Sequence, residues 1–226
     1  MTRLMKIEIK DIYKKYRGQQ VLKGASLEAE SGSCIGILGA NGCGKTTLLS
    51  ILAGIQPPDS GSFLCDGEEL FARHKLRRKL VGYVPQGTPL MEELTAKDNL
   101  LLWYAPTRLK QELEKGILSR LGIGEFIKKP VHKLSGGMKK RLAIGCSVAE
   151  HPPILLLDEP TAALDLPCQQ LIADYLQEYR KAGGILLLVT HDPRELALCD
   201  RLFILKDGIL HPYTFDGDLQ SLAERL

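Results

Sequence analysis

Apolar spacing changes character twice along the chain. The first stretch, to about residue 85, is strand-rich, with predicted strands over Lys6–Ile12, Val21–Glu30, Ser33–Leu38, Ser62–Asp66 and Val81–Pro85. A helix from Lys45 to Ala53 interrupts them. It stops at Gly54, and Pro57-Pro58-Asp59-Ser60-Gly61 supplies turn chemistry. The middle then takes helical spacing over Thr95–Tyr104, Leu109–Leu121 and Gly136–Glu150. Gly122 and Gly124 act as breakers, and Pro152-Pro153 stops the last helix. After that the pattern switches back: strand Ile154–Leu157, helix Cys168–Lys181, strand Ile185–Thr190, helix Arg194–Leu198, strand Leu202–Leu205. Strands alternating with helices predict an α/β fold with a mostly parallel sheet covered on both faces. The expected organisation is one domain over 1–226, with a core of 1–86 and 151–226 and an inserted helical subdomain over 87–150.

Composition narrows the class. The chain has 226 residues, 44% apolar and 25% charged, with a net charge of +3. That charge is too small to argue for nucleic acid, and no nucleic-acid partner is expected. No apolar run approaches the ~20 residues of a membrane span. The start, Met1-Thr2-Arg3-Leu4-Met5-Lys6-Ile7-Glu8, lacks a secretory apolar region. The six cysteines, at 34, 43, 65, 146, 168 and 199, form no C-x-x-C pair and no zinc spacing. They read as buried, reduced thiols, and the expected compartment is the cytoplasm. The basic stretch Arg73-His74-Lys75-Leu76-Arg77-Arg78-Lys79 reads as a solvated helix face.

Chemistry enters at Gly39-Ala40-Asn41-Gly42-Cys43-Gly44-Lys45-Thr46, the phosphate-cradling pattern G-x-x-x-x-G-K-[ST]. It lies between the apolar run Cys34–Leu38 and the helix that starts with Thr47-Leu48-Leu49, which is the strand–loop–helix context the motif requires. Glycines let backbone N–H groups approach phosphates, and the helix N-terminus adds partial positive charge. The expected nucleotide contacts run from Gly39 to Thr47. Lys45 reaches the β- and γ-phosphates, and the Thr46 hydroxyl ligates magnesium. Farther on, the strand Ile154–Leu157 ends in Asp158 and Glu159. Ligands in open α/β sheets bind at the carboxyl ends of strands. Asp158 would therefore hold magnesium, directly or through water, and Glu159 would be the general base for an attacking water.

These residues carry a family resemblance over essentially the whole chain. Tyr16, the loop Gly39–Thr46, Gln86 in Val84-Pro85-Gln86, Leu134-Ser135-Gly136-Gly137-Met138, Ile154–Glu159, Ala163-Leu164-Asp165 and His191 in Val189-Thr190-His191-Asp192 stand in one order. In that order they resemble the nucleotide-binding domain of ATP-binding cassette (ABC) proteins. The resemblance implies a P-loop core with an N-terminal antiparallel β part and a helical subdomain hinged at Gln86. It implies that Tyr16 stacks on adenine and that Gln86 contacts magnesium and the lytic water. Ser135, Gly136 and Gly137, flanked by Leu134 and Met138, would bind the γ-phosphate held by an opposite protomer. Asp165 would communicate across that dimer, and His191 would hydrogen-bond the γ-phosphate. The catalytic set is then Glu159, His191, Gln86 and Lys45, with ATP and Mg2+ as cofactors.

Two positions depart from the family pattern. Met138 stands where glutamine is usual, which alters contacts at the dimer interface. Cys43 stands where serine or alanine is common, and a thiol at a helix N-terminus is activated toward alkylation. The implied partners are a second ABC subunit, head to tail around ATP, and a separate transmembrane permease subunit. The chain would then sit at the inner face of the cell membrane. Leu94-Thr95-Ala96-Lys97-Asp98-Asn99-Leu100 looks like the same region of bacterial export-type cassettes, so export is favoured over import. The short stretch after His191 leaves no room for a sizeable regulatory domain. The alternative function is a soluble ABC-type ATPase acting in assembly, translation or DNA maintenance. A P-loop nucleotide kinase would leave Leu134–Gly137 unexplained.

Overall fold

A computed structural model describes residues 4–215 and 217. The first three residues of the opening segment, and residue 216 with 218–226 at the other end, lie outside the described residues. The same holds for those parts of the expected 1–226 domain and of the stretch after His191.

The chain opens with two long antiparallel strands, β1 (Lys6–Tyr16) and β2 (Gln19–Glu30). Every second residue is buried over much of their length, as in Ile7 and Ile9 of β1 and Ala25, Leu27 and Ala29 of β2. That alternation marks a sheet with one face on the core. Next come β3 (Cys34–Leu38), α1 (Lys45–Ala53), β4 (Ser60–Cys65), the two-residue β5 (Glu68–Glu69), α2 (His74–Leu80) and β6 (Val81–Val84). The helical segment follows: α3 (Ala96–Leu101), α4 (Pro106–Lys115), α5 (Ile117–Arg120) and α6 (Gly136–Ser147). The chain then runs β7 (Ile154–Asp158), α7 (Leu166–Lys181), β8 (Ile185–Val189), α8 (Pro193–Leu196), β9 (Arg201–Lys206) and β10 (Ile209–Tyr213).

Two sheets result. One is antiparallel, in the order β2-β1-β4-β5. The other runs β10-β9-β3-β8-β7-β6 and is parallel except at its β10 edge. Every residue of β3, β7 and β8 is buried, as central parallel strands require. One apolar layer fills the space between the two sheets and around α1, through Ile7, Phe63, Leu48 and Ile37. A second layer covers the other face. It joins Leu155, Leu157 and Leu188 of the sheet to Leu100, Phe126, Leu142 and Ile144 of the helical segment. The helical segment therefore shares one continuous core with the sheet.

The fold class matches expectation, and several element boundaries do not. The apolar period over Leu109–Leu121 is broken at Gly116, where the backbone is extended (φ −100°, ψ −156°). The Glu112 carboxylate accepts the Ile117 N–H there at 2.9 Å and starts α5 afresh. The predicted Thr95–Tyr104 helix contracts to α3, with Thr95 as its cap: its hydroxyl accepts from Asp98 N at 3.1 Å. The helix expected to reach Glu150 ends at Ser147. The basic stretch does form α2, but Arg77 is buried against Gly54 rather than solvated. Strands β5 and β10 were not expected at all.

Candidate functional site

The parallel register assembles the site. Strands β3, β6, β7 and β8 point the same way, so their carboxyl ends open on one edge. The loop from Gly39, then Gln86, Asp158-Glu159 and Thr190-His191 all emerge there. Residues distant in sequence are brought together because each lies at, or within two residues of, the carboxyl end of one of these strands.

The loop wraps the start of α1. Gly44 caps that helix with φ +113°, and a Cβ there would lie 2.8 Å from Val21 Cγ1. A Cβ on Gly39 would come within 2.6 Å of both Cys43 Sγ and the Leu205 carbonyl oxygen. Cys43 is a half-buried free thiol packed against the core between the sheets. Lys45 is buried. Its ammonium donates to the carbonyl oxygens of Gly39 (2.6 Å) and Ala40 (3.0 Å) and has no carboxylate partner among the described residues. That leaves its charge available to an anion in the loop.

The carboxylates face this loop. The Thr46 hydroxyl donates to Asp158 Oδ2 at 2.7 Å. Asp158 is buried, and burial pushes its carboxyl above the usual range. Glu159 takes a left-handed backbone (φ 49°) and is held there by its N–H to the Val189 carbonyl at 2.9 Å. Non-glycine residues in that conformation are uncommon and cluster at functional sites. The turn directs its carboxylate to Gln86, whose Nε2 donates to Glu159 Oε2 at 2.9 Å. His191 sits at the surface beside them. Partial burial, and then the Lys45 ammonium, lower its pKa below the ordinary value, so it is neutral at pH 7.

Two expected groups belong to other elements. Tyr16 ends β1 half-exposed. Its hydroxyl bonds the side chain of Gln56, three residues past α1, and Lys14 Nζ lies 5.5 Å from its ring centroid. Ser135–Met138 line a separate surface cavity of about 400 Å³ with Leu164, Asp165 and Cys168, while Leu134 is buried in the core beside them. There the Ser135 hydroxyl accepts from Met138 N at 3.3 Å and starts α6. Gly136 and Gly137 open that helix, and Met138 packs half-buried on the helical core. Asp165 caps α7 by accepting the Cys168 N–H at 3.0 Å. One group was missed by sequence reasoning. Lys140 is buried on α6, and its ammonium donates to the Pro85 and Gln86 carbonyls at 3.2 and 3.3 Å.

A glycine loop between a buried parallel strand and a helix, facing a strand that ends in Asp-Glu, defines a P-loop nucleotide-binding α/β protein. Comparison with known proteins is more specific. The family model for ABC transporters matches residues 22–162. The chain is 39% identical over 207 residues to the Nod factor export ATP-binding protein I of Sinorhizobium fredii, covering 89% of this chain and 60% of that protein. It is 37% identical to the ABC transporter ATP-binding protein YxdL of Bacillus subtilis, over 94% of this chain and 88% of that one. It is also 34% identical to the spermidine/putrescine import ATP-binding protein PotA of Spiroplasma citri, over 97% of this chain and 64% of that one. Among solved structures, the dimeric ATP-binding cassette MJ0796 bound to ADP and Pi superposes with a TM-score of 0.81. It is 28% identical, over 94% of this chain and all of that one. The chain belongs to the ABC transporter family. ATP binding and hydrolysis are general to its cassettes, and this chain is an ATPase of that class.

Proposed function

We propose that the chain is the ATP-hydrolysing subunit of an export-type ABC transporter, working as a head-to-tail pair beneath a separate membrane subunit. The observation that carries this reading is the split of the site. The glycine loop, Gln86, Asp158, Glu159 and His191 gather at one sheet edge, while Ser135–Gly137 face a different cavity. A second copy would bring its Ser135–Gly137 helix start, with free N–H groups, to the γ-phosphate of the first.

Within one site Lys45 holds the β- and γ-phosphates. Thr46, Asp158 and Gln86 form an all-oxygen set suited to a small hard cation, and such ions keep several water ligands of their own. Magnesium, when bound, offsets charge on the phosphate oxygens. Glu159 takes the proton of the water that attacks the γ-phosphorus as the bond to the β,γ-bridging oxygen breaks and ADP leaves, Gln86 orients that carboxylate, and neutral His191 donates one N–H to a γ-phosphate oxygen. Residues 87–150 are the unit that moves when the pair closes. Tyr16, whose ring is half-exposed, is the proposed adenine contact.

The membrane partner has a candidate seat. A groove of about 530 Å³ between the core and the helical segment is lined by Ile55, Tyr83, Leu90, Met91, Leu102 and Trp103. Ile55 is 69% and Trp103 56% exposed, an apolar patch that marks an interaction surface. No helix among the described residues is long and apolar enough to cross a membrane, so the spanning part belongs to another segment or chain. Export is favoured by the Leu94–Leu100 segment that follows Gln86. This assembly places the chain on the cytoplasmic face of the membrane. A pull-down of tagged Glu159→Gln protein with Mg-ATP, from detergent-solubilised cells, tests the reading. Recovery of a polytopic membrane protein supports it, and recovery of only soluble proteins or ribosomes refutes the transporter assignment.

A further inference from the structure

We propose that Lys140 is a positioning residue for hydrolysis, tying the helix that begins at Ser135 to the backbone of Gln86 and so setting how Gln86 meets Glu159. This rests on the roles proposed above for Gln86 and Glu159.

A buried lysine normally pairs with a carboxylate, because an unpaired ammonium out of water is costly. Lys140 is only 5% exposed, and among the described residues it has no ion pair. Both of its hydrogen bonds go instead to consecutive carbonyls of the segment leaving β6, at Pro85 and Gln86. That segment makes no helix or strand there, so Lys140 is an anchor for backbone that would otherwise answer only to its two ends. The next link is direct: Gln86 Nε2 donates to Glu159 Oε2. A chain of hydrogen bonds thus runs from α6 through the Gln86 backbone to its side chain and on to Glu159.

The geometry of α6 gives that chain a source. Gly136 and Lys140 are four residues apart, so they stack on one face of the helix. The helix end offered to a partner's nucleotide and the group that grips Gln86 are one rigid turn apart. Asp158, Glu159 and Glu195 lie near enough to favour the ammonium's charge, while burial opposes it more strongly. Lys140 therefore senses the carboxylate edge without neutralising any member of it.

The test is a double-mutant cycle on the full chain, with Lys140→Met and Gln86→Ala alone and together. ATP turnover is read against ATP concentration, and binding by a fluorescent ATP analogue. Lys140→Met is expected to lower kcat roughly 10- to 100-fold. Nucleotide affinity should stay within about twofold, since the glycine loop is untouched. Lys140→Arg should restore most of the rate. In the Gln86→Ala background Lys140→Met should have no further effect, because the side chain it positions is gone. Equal loss of kcat in both backgrounds, a change in affinity instead of kcat, or no change at all overturns the proposal while the Gln86 and Glu159 roles stand. Undiminished turnover in Gln86→Ala alone overturns the role of Gln86, and this proposal with it. Lys140→Gln, which keeps an uncharged amide donor group, is read in the same cycle if Lys140→Met does not fold.

Discussion

The Thr46 hydroxyl and the Asp158 carboxylate are hydrogen-bonded at 2.7 Å across 112 positions of sequence. The bond joins the first turn of α1 to the end of β7, so it fixes the glycine loop against the strand that carries both acidic groups. It also shows what a cation would replace. A hydroxyl proton now satisfies a buried carboxylate whose pKa burial has raised. Asp158→Asn should keep this contact, since the amide oxygen still accepts, and should remove the charge that draws the metal. ATP affinity of the variant should be the same with magnesium and with EDTA. A retained magnesium enhancement in a fluorescent-nucleotide titration would refute the metal assignment.

Glu159 offers a sharper separation of binding from chemistry. Glu159→Gln preserves size and still accepts from Gln86 Nε2, but it cannot take a proton at neutral pH. Turnover should fall about 10²–10⁴-fold with ATP binding intact. Steady-state phosphate release with a parallel binding titration checks this. Normal turnover in the variant would remove Glu159 from the role of base.

How far the sequence revealed this site depends on whether a feature is local or assembled. Strands β3, β7 and β8 were legible because burial on both faces makes them unbroken apolar runs. The groups that follow them were legible because the chemistry needs residues adjacent in sequence, as in Gly39–Thr46 and Asp158-Glu159. What escaped was set by contacts at long range. Lys140 looks like any surface lysine on a helix, and only the docking of α6 on a segment 55 residues earlier buries it. Arg77 sits in a run of surface charges, yet Gly54 at the end of α1 leaves room for its guanidinium. Strand β10 contains His211 and Pro212, poor strand formers that are tolerated at the edge of the sheet.

Cys43 gives a chemical probe of the loop. Its sulfur lies 2.6 Å from where a Cβ on Gly39 would be, so an alkyl group there must displace the loop that holds the phosphates. Alkylation with N-ethylmaleimide should abolish ATP binding, and Mg-ATP should slow it by holding the loop closed over the thiol. Mass-spectrometric labelling at Cys43 that is equal with and without nucleotide would show that the loop does not respond to ligand.

Glu195 should make stability depend on pH. It is buried on α8, and its carboxylate accepts the Thr161 hydroxyl at 2.6 Å. Burial raises its pKa above the ordinary 4.5, although bonds to Thr161 and Thr190 oppose the shift. A raised folded-state pKa means that the protonated group's contribution is complete below 4.5 and is lost as pH rises through the folded value. Glu195→Gln cannot ionise and keeps the acceptor for Thr161. The variant's melting temperature should therefore gain on the wild type as pH is raised from 4 toward 8. An offset that stays constant across that range would show that Glu195 does not titrate between the two states.

The apolar groove makes the last prediction, and it separates partner binding from catalysis. Trp103 follows α3, more than half exposed, beside Leu102 and Met91. Its ring has no aromatic or cationic neighbour within the chain among the described residues. Large aromatic side chains left open in an apolar groove commonly anchor interfaces, where one truncation costs about 2 kcal/mol or more. Trp103→Asp adds the cost of placing a carboxylate in that interface and should abolish co-purification of a membrane subunit. Because the groove around Trp103 is lined by none of Lys45, Gln86, Asp158 or Glu159, ATP turnover of the isolated chain should be unchanged. Retained co-purification would move the membrane contact to another face. Lost turnover would instead mean that the groove supports the helical segment from within.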